Sequence, residues 1–96
     1  MPIVFCSLDI HIPASHSLKE KRRIINKTSD RLRSRFNFSI SEIQYQNLWQ
    51  RARLGAVSIG SNRKQLEKIS EKLIRETEQI LGNDLLRYEI DIFDYD

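Results

Sequence analysis

Two stretches of strict alternation, one at each end of the chain, constrain the fold more than any other feature. Near the start, Val4, Cys6, Leu8 and Ile10 fall on one side of an extended segment and Phe5, Ser7, Asp9 and His11 on the other. Near the end, Leu86, Tyr88, Ile90 and Ile92 alternate in the same way with Arg87, Glu89 and Asp91. A period of two belongs to half-buried strands, so a helical bundle cannot absorb these termini. Between them the period changes. Leu18, Ile25, Leu32 and Phe36, flanked by Ile24 and Thr28, recur at helical spacing. Ser17-Leu-Lys-Glu20 reads as a capping box that opens this helix, in which Glu20 reaches back to the Ser17 N–H. The spacing predicts a helix from Ser17 to about Arg35.

The middle of the chain yields two more strands. Phe38 to Tyr45 alternates imperfectly, as a bulged strand does, and Arg51 to Ile59 is the second, with Gln46 to Gln50 as their connection. Gly60-Ser61-Asn62 then caps a second helix, about Arg63 to Leu81, with Leu66, Ile69, Leu73, Thr77 and Ile80 as its inner stripe. Gly82-Asn83-Asp84 stops that helix, and Leu85 to Phe93 forms the last strand, with Leu86, Tyr88, Ile90 and Ile92 expected to face inward. The order β-α-β-β-α-β predicts an α+β, ferredoxin-like split sandwich: a four-stranded antiparallel sheet with both helices on one face. Residues 1–96 are expected to form one domain, since a chain of 96 residues supplies one core.

Composition narrows the setting. No apolar run approaches the roughly 20 residues that span a bilayer, and residues 1–12 lack the pattern of a signal peptide. Cys6 is the one cysteine, so no internal disulfide forms and a cytoplasmic location is expected. Charge is divided unevenly. Residues 1–64 carry twelve Lys/Arg against four Asp/Glu, whereas residues 65–96 carry four against nine, which together give the net +3. Ser17 to Arg35 is the densest stretch, with eight basic residues and two acidic ones. Such polarity suits a polyanion or a complementary protein surface.

Two motifs, Leu18-Lys-Glu-Lys-Arg-Arg-Ile24 and Gln46-Asn-Leu-Trp-Gln-Arg-Ala52 followed by Leu54-Gly55, resemble the YlxP-like family of small bacterial proteins of unknown function. The resemblance runs from the strand before Pro13 to the Tyr88-Glu-Ile90 strand; Gly60 and the Asp94-Tyr95-Asp96 tail depart from it. It implies a ferredoxin-like fold. The placing of family genes among those for transcription elongation and translation initiation implies a role near RNA or the ribosome. It supplies no catalytic residues.

Topology should bring the two motifs together. With β1 and β2 running the same way, the end of β1, the start of the first helix and the β2–β3 connection share one edge. His11, His16, Lys19, Lys21, Arg22 and Arg23 are then expected near Gln46, Asn47, Trp49 and Arg51. Cations in the first turns of a helix oppose its dipole, a mismatch of roughly 0.3–1 kcal/mol each, and Lys21 even falls on the apolar stripe. Two explanations remain open. A phosphate could supply the missing negative charge; or Glu42, Asp84 or the acidic second helix could neutralise the cluster, with the Lys21 stem lying along the core. Trp49 likewise could stack on a base or fold back as a lid on the core.

The expected nucleic-acid-binding residues are therefore Lys19, Lys21, Arg22, Arg23, Lys27, Gln46, Trp49, Arg51 and Arg53. The third strand contains no aromatic residue, so base stacking on the sheet, as in RNA-recognition motifs, is not expected. Phe5, Val57, Ile59 and Phe93 would instead make the open sheet face partly apolar and favour a homodimer. Neither a metal nor a cofactor is expected. His11 and His16 are separated by Pro13 and lack a second acid nearby, Ser15 and His16 are adjacent rather than opposed, and the glycine-free Ile12-Pro-Ala-Ser-His-Ser17 segment forms no phosphate cradle. The chain reads as a binding protein without catalytic machinery.

Overall fold

A computed structural model describes residues 1–95; Asp96, the last residue of the divergent tail, lies outside the described residues. The elements follow the expected order: β1 (Pro2–His11), α1 (Leu18–Arg35), β2 (Ser39–Gln44), β3 (Arg51–Ile59), α2 (Arg63–Leu81), a single 3-10 turn (Gly82–Asp84) and β4 (Leu85–Asp94). The strands lie in the order β2-β3-β1-β4, with every neighbouring pair antiparallel. This is the ferredoxin-like α+β arrangement. No helix among the described residues is long and apolar enough to cross a membrane.

The helix-facing side of the sheet makes the core. Val4, Cys6, Leu8 and Ile10 of β1 meet Ala52, Leu54 and Ala56 of β3, and all of them are sealed from solvent. Ile25 and Leu32 of α1 and Leu66, Leu73 and Ile74 of α2 close over them. Burying a side chain of that size contributes roughly 1.5–3 kcal/mol. Hydroxyls trapped in the helices return to their own backbone: Thr28 donates to the Ile24 carbonyl at 2.8 Å, Ser70 to Leu66 at 2.7 Å and Thr77 to Leu73 at 2.8 Å. The buried stripe of α2 is rotated from the expected one, with Ser70 and Ile74 inside and Ile69 and Ile80 only half-buried.

Local signals at the helix ends act largely as read. The Ser17 hydroxyl accepts from the Glu20 N–H at 3.0 Å. The Glu20 carboxylate, however, accepts from the His16 N–H at 2.8 Å rather than from Ser17, so the box closes one residue further out. Asn62 caps α2 through the Gln65 N–H at 3.2 Å, and Gly82 leaves it with a positive φ of 56°.

Two bulges change which side chains face the core. On β2, Glu42 pairs with Leu54 and Gln44 with Arg53, so Ile43 is the extra residue and lies against the open face. On β4, Asp9 pairs with Arg87 but Ile10 with Leu85, so Leu86 is extra. Leu85 takes the core position that alternation assigns to Leu86, which is 54 % exposed. Tyr88 keeps its place opposite Leu8 yet remains 48 % exposed, beside a shallow groove along α2. Only Ile90 and Ile92 of the expected four pack on the core.

Candidate nucleic-acid interface

Lys21 organises the site. It occupies the first turn of α1 on the core-facing side and is 0 % exposed. Its Nζ donates to Glu42 Oε2 at 3.0 Å and to the carbonyls of Tyr45, Gln46 and Arg51 at 2.8, 3.1 and 3.1 Å. One ammonium thus ties α1 to the end of β2, the connection and the start of β3. A buried cation is tolerated only when paired and hydrogen-bonded in this way. Tyr45 adopts a positive φ of 69° in the same turn, a conformation that costs an L-residue roughly 1–2 kcal/mol.

Further bonds fix the rim. The Ile12 N–H donates to the Gln50 carbonyl at 2.8 Å, and the Gln50 amide donates to the Pro13 and Ser15 carbonyls, each at 3.1 Å. The end of β1, the opening of α1 and the β2–β3 connection therefore share one edge, as the topology requires. At the tip of this connection Trp49 is 56 % exposed and Leu48 lies beside it, also exposed. Trp49 is not a lid on the core.

The expected cations separate into five groups. Lys21 is consumed internally, so it is removed from the set that faces a ligand. Arg53 lies on the open sheet face rather than the rim. It donates to Ser7 Oγ at 2.9 Å and Gln44 Oε1 at 3.0 Å, and lies 3.5 Å from Asp9 Oδ1. Arg51 is half-buried, its guanidinium 4.6 Å above the Tyr45 ring. Lys27 borders a shallow groove with Arg31, Gln79 and Ile80 on the α2 side, away from the rim.

Lys19, Arg22 and Arg23 remain at the rim, exposed to solvent. Among the described residues they enter no ion pair, whereas Arg31 and Arg35, further along α1, share the nearly buried Glu76 at 3.0 and 3.2 Å. Neutralisation by the second helix thus applies to the far end of α1, and Glu42 neutralises Lys21 alone. Arg22 lies on the side of α1 that turns towards β2. Arg33, eleven residues and three turns later, occupies that side and reaches the Ile40 carbonyl at 2.8 Å.

Sequence reasoning missed Tyr45, which stacks under Arg51, and the Asp9 cluster. The Asp9 carboxylate is buried on the open face between Arg53 and Arg87, whose Nε donates to Oδ2 at 2.9 Å. That hydrogen bond, with the carboxylate charge, raises the Arg87 pKa. Alternation places Asp9 on that face; its partners follow from the β1–β3 and β1–β4 registers, which no local signal encodes. His11 pairs across the sheet with Arg51. Among the described residues no three His, Cys, Asp or Glu side chains are grouped as metal ligands.

A family model described as a protein of unknown function, DUF503, matches residues 3–90. The chain belongs to the DUF503 family. A curated relative, the uncharacterized protein YlxP of Bacillus subtilis (strain 168), is 39% identical over 72 residues, which is 75% of this chain and 78% of the relative. Among solved structures, the DUF503 chain is similar to At3g17210 from Arabidopsis thaliana, with a TM-score of 0.55 at 14% identity over 98% of this chain and 95% of the other. It is also similar to a variant of SnoaB, a cofactor-independent oxygenase from Streptomyces nogalater, with a TM-score of 0.52 at 9% identity over 98% and 92%. At those identities the likeness is one of fold. The DUF503 assignment agrees with the resemblance carried by the two motifs and leaves function to the chemistry of the site.

Proposed function

We propose that this protein is a non-catalytic, cytoplasmic RNA- or ribosome-associated binding protein that grips phosphates with the opening turns of α1 and an unpaired base with Trp49. One observation carries the reading: Lys19, Arg22 and Arg23 are exposed and unpaired among the described residues, beside an exposed indole on a connection locked by Lys21. Cations at a helix N-terminus repel both its dipole and one another, and a phosphate relieves both effects. An exposed aromatic beside a cationic surface is the combination that single-stranded nucleic acids use: backbone charge for affinity, stacking of roughly 1–3 kcal/mol per base for fit. Gln46 is exposed, and while its amide nitrogen donates to the Glu42 carbonyl at 3.3 Å its amide oxygen is left for a base edge.

Fluorescence anisotropy with a labelled RNA hairpin tests this. Three phosphate contacts predict an affinity that falls by roughly 2–3 log units per log unit of salt. Arg22→Glu with Arg23→Glu should abolish binding while the unfolding transition stays in place, because both side chains lie in solvent. Salt-independent binding, or binding that survives the double substitution, contradicts the assignment.

A further inference from the structure

A groove of about 500 Å³ runs between the closing residues of α1 and the first half of α2, lined by Arg35, Phe36, Gln65, Lys68, Ile69 and Lys72. It continues past Gln65 and Ile69 to Leu66, Gly60 and the end of β3. Phe36 and Ile69 make its floor. Both are half-buried and pack on the core from outside, so an apolar strip stays open to solvent. Gln65, Lys68, Ile69 and Lys72 recur at the i, i+3, i+4, i+7 spacing of a single helix face, and Arg35 stands across from them.

The charge around that strip is of one sign. Lys68, Lys72 and Arg35 are exposed, and among the described residues no carboxylate lines the groove. Lys68 and Lys72 enter no ion pair among those residues, although Glu71 and Glu76 follow them on the same helix at spacings that allow one. Arg35 gives one nitrogen to Glu76 at 3.2 Å and keeps 54 % of its side chain in solvent. Glu76 also takes Arg31 at 3.0 Å, so one carboxylate ties α1 to α2 and fixes the walls before any ligand arrives.

We propose that this groove docks an acidic amphipathic segment of a partner protein, with a large apolar side chain on Phe36 and Ile69 and carboxylates against Lys68, Lys72 and Arg35. Charge and floor together select that occupant. The cations call for an anion. The floor calls for a group with nothing to hydrogen-bond. A nucleotide base lowered onto it would bury edge donors and acceptors that only the Gln65 amide could meet, whereas a leucine or phenylalanine side chain brings none. The lysine stems widen the apolar strip while their ammonium groups stay in water. From Asn62 to Lys72 the α2 stripe is roughly 15 Å long, enough for about three turns of a helix laid in the groove. Arg35 follows Arg23 by roughly 18 Å along α1, so this surface and the rim can be tested apart.

Selection from a phage library of random peptides, about twelve residues long to match the groove, tests this with the full chain as bait. Enriched sequences should combine Asp or Glu with Leu, Ile, Phe or Trp. A synthetic copy of the best should bind with an affinity that salt weakens. Lys68→Glu with Lys72→Glu should weaken it roughly tenfold or more by placing like charges together, and so should serine in place of the peptide's own apolar residue. Both lysines are exposed, so the doubly substituted chain should keep its urea midpoint. Arg22→Glu with Arg23→Glu should bind the peptide as before, whatever its effect on RNA. Enrichment of no peptide, or of peptides without acidic residues, overturns the inference. So does binding that survives the lysine substitutions, because the peptide would then sit elsewhere. Loss of RNA-hairpin binding in Lys68→Glu with Lys72→Glu would assign the groove to nucleic acid, and self-association abolished by the same pair would assign it to a second copy; either result overturns the proposal.

Discussion

At the scale of single residues, Lys21 shows how a charge can be structural. Its ammonium has three protons and four acceptors within 3.1 Å, one carboxylate and three carbonyls. Removing it leaves Glu42 and three main-chain oxygens without their cation. Lys21→Ala is expected to lower the unfolding free energy by about 3–5 kcal/mol, as for other broken buried pairs, and Lys21→Met by a similar amount, because the stem alone satisfies none of them. Adding Glu42→Leu to Lys21→Met should restore part of the loss, measured as the urea midpoint. An unchanged midpoint for Lys21→Met would mean that the lock contributes nothing. Cys6 behaves oppositely, as an inert core atom. Burial raises its thiol pKa, with a smaller opposing effect from Ser70. The folded chain then favours the neutral thiol: the stabilising contribution is complete below the ordinary thiol pKa of about 8.5 and is lost as pH rises through the higher folded value. Iodoacetamide labelling at mildly alkaline pH should follow the unfolding rate, and rapid labelling of native protein would contradict this.

At the scale of elements, what the chain advertises locally is what it builds. β1, α1 and β3 are legible because each is specified by its own period and caps: Val4 to Ile10 for the strand, Ser17 for the helix start. β4 is different. Leu86 alternates perfectly with Tyr88 yet is displaced, because its position depends on which residue Ile10 chooses as a partner across the sheet. Register of this kind is a property of two strands and is absent from either one. The same holds for Arg53, expected among the nucleic-acid-binding residues and found on the open face beside Asp9. Gly55 allows a test at this level. Gly55→Ala gains strand propensity but brings its Cβ within 3.2 Å of Ile43 and Phe5, which are side chains free to lift outward. Stability should therefore change by no more than about 1 kcal/mol, measured as the urea midpoint. A larger loss would contradict this, because it would mean that Ile43 and Phe5 cannot lift away from β3.

At the scale of the whole molecule, the fold distributes three surfaces to three ends. The rim holds free cations and an indole, the far end of α1 is tied to α2 by Glu76, and the open face combines an apolar half with charges of both signs. The convergence of the Lys21 helix and the Trp49 connection follows from strand order alone, which is why that part of the site was legible. Which cations stay free was not, because it depends on where Glu42 and Glu76 point once the layers are packed. Trp49 is the only tryptophan in the chain, so its emission reports on the rim directly. Titration with a short single-stranded RNA at low salt is predicted to quench that emission in step with binding, to reverse on adding salt, and to disappear in Arg22→Glu with Arg23→Glu. Emission that saturating RNA leaves unmoved, or a quench that persists in the doubly substituted protein, would contradict an RNA site built from α1 and Trp49.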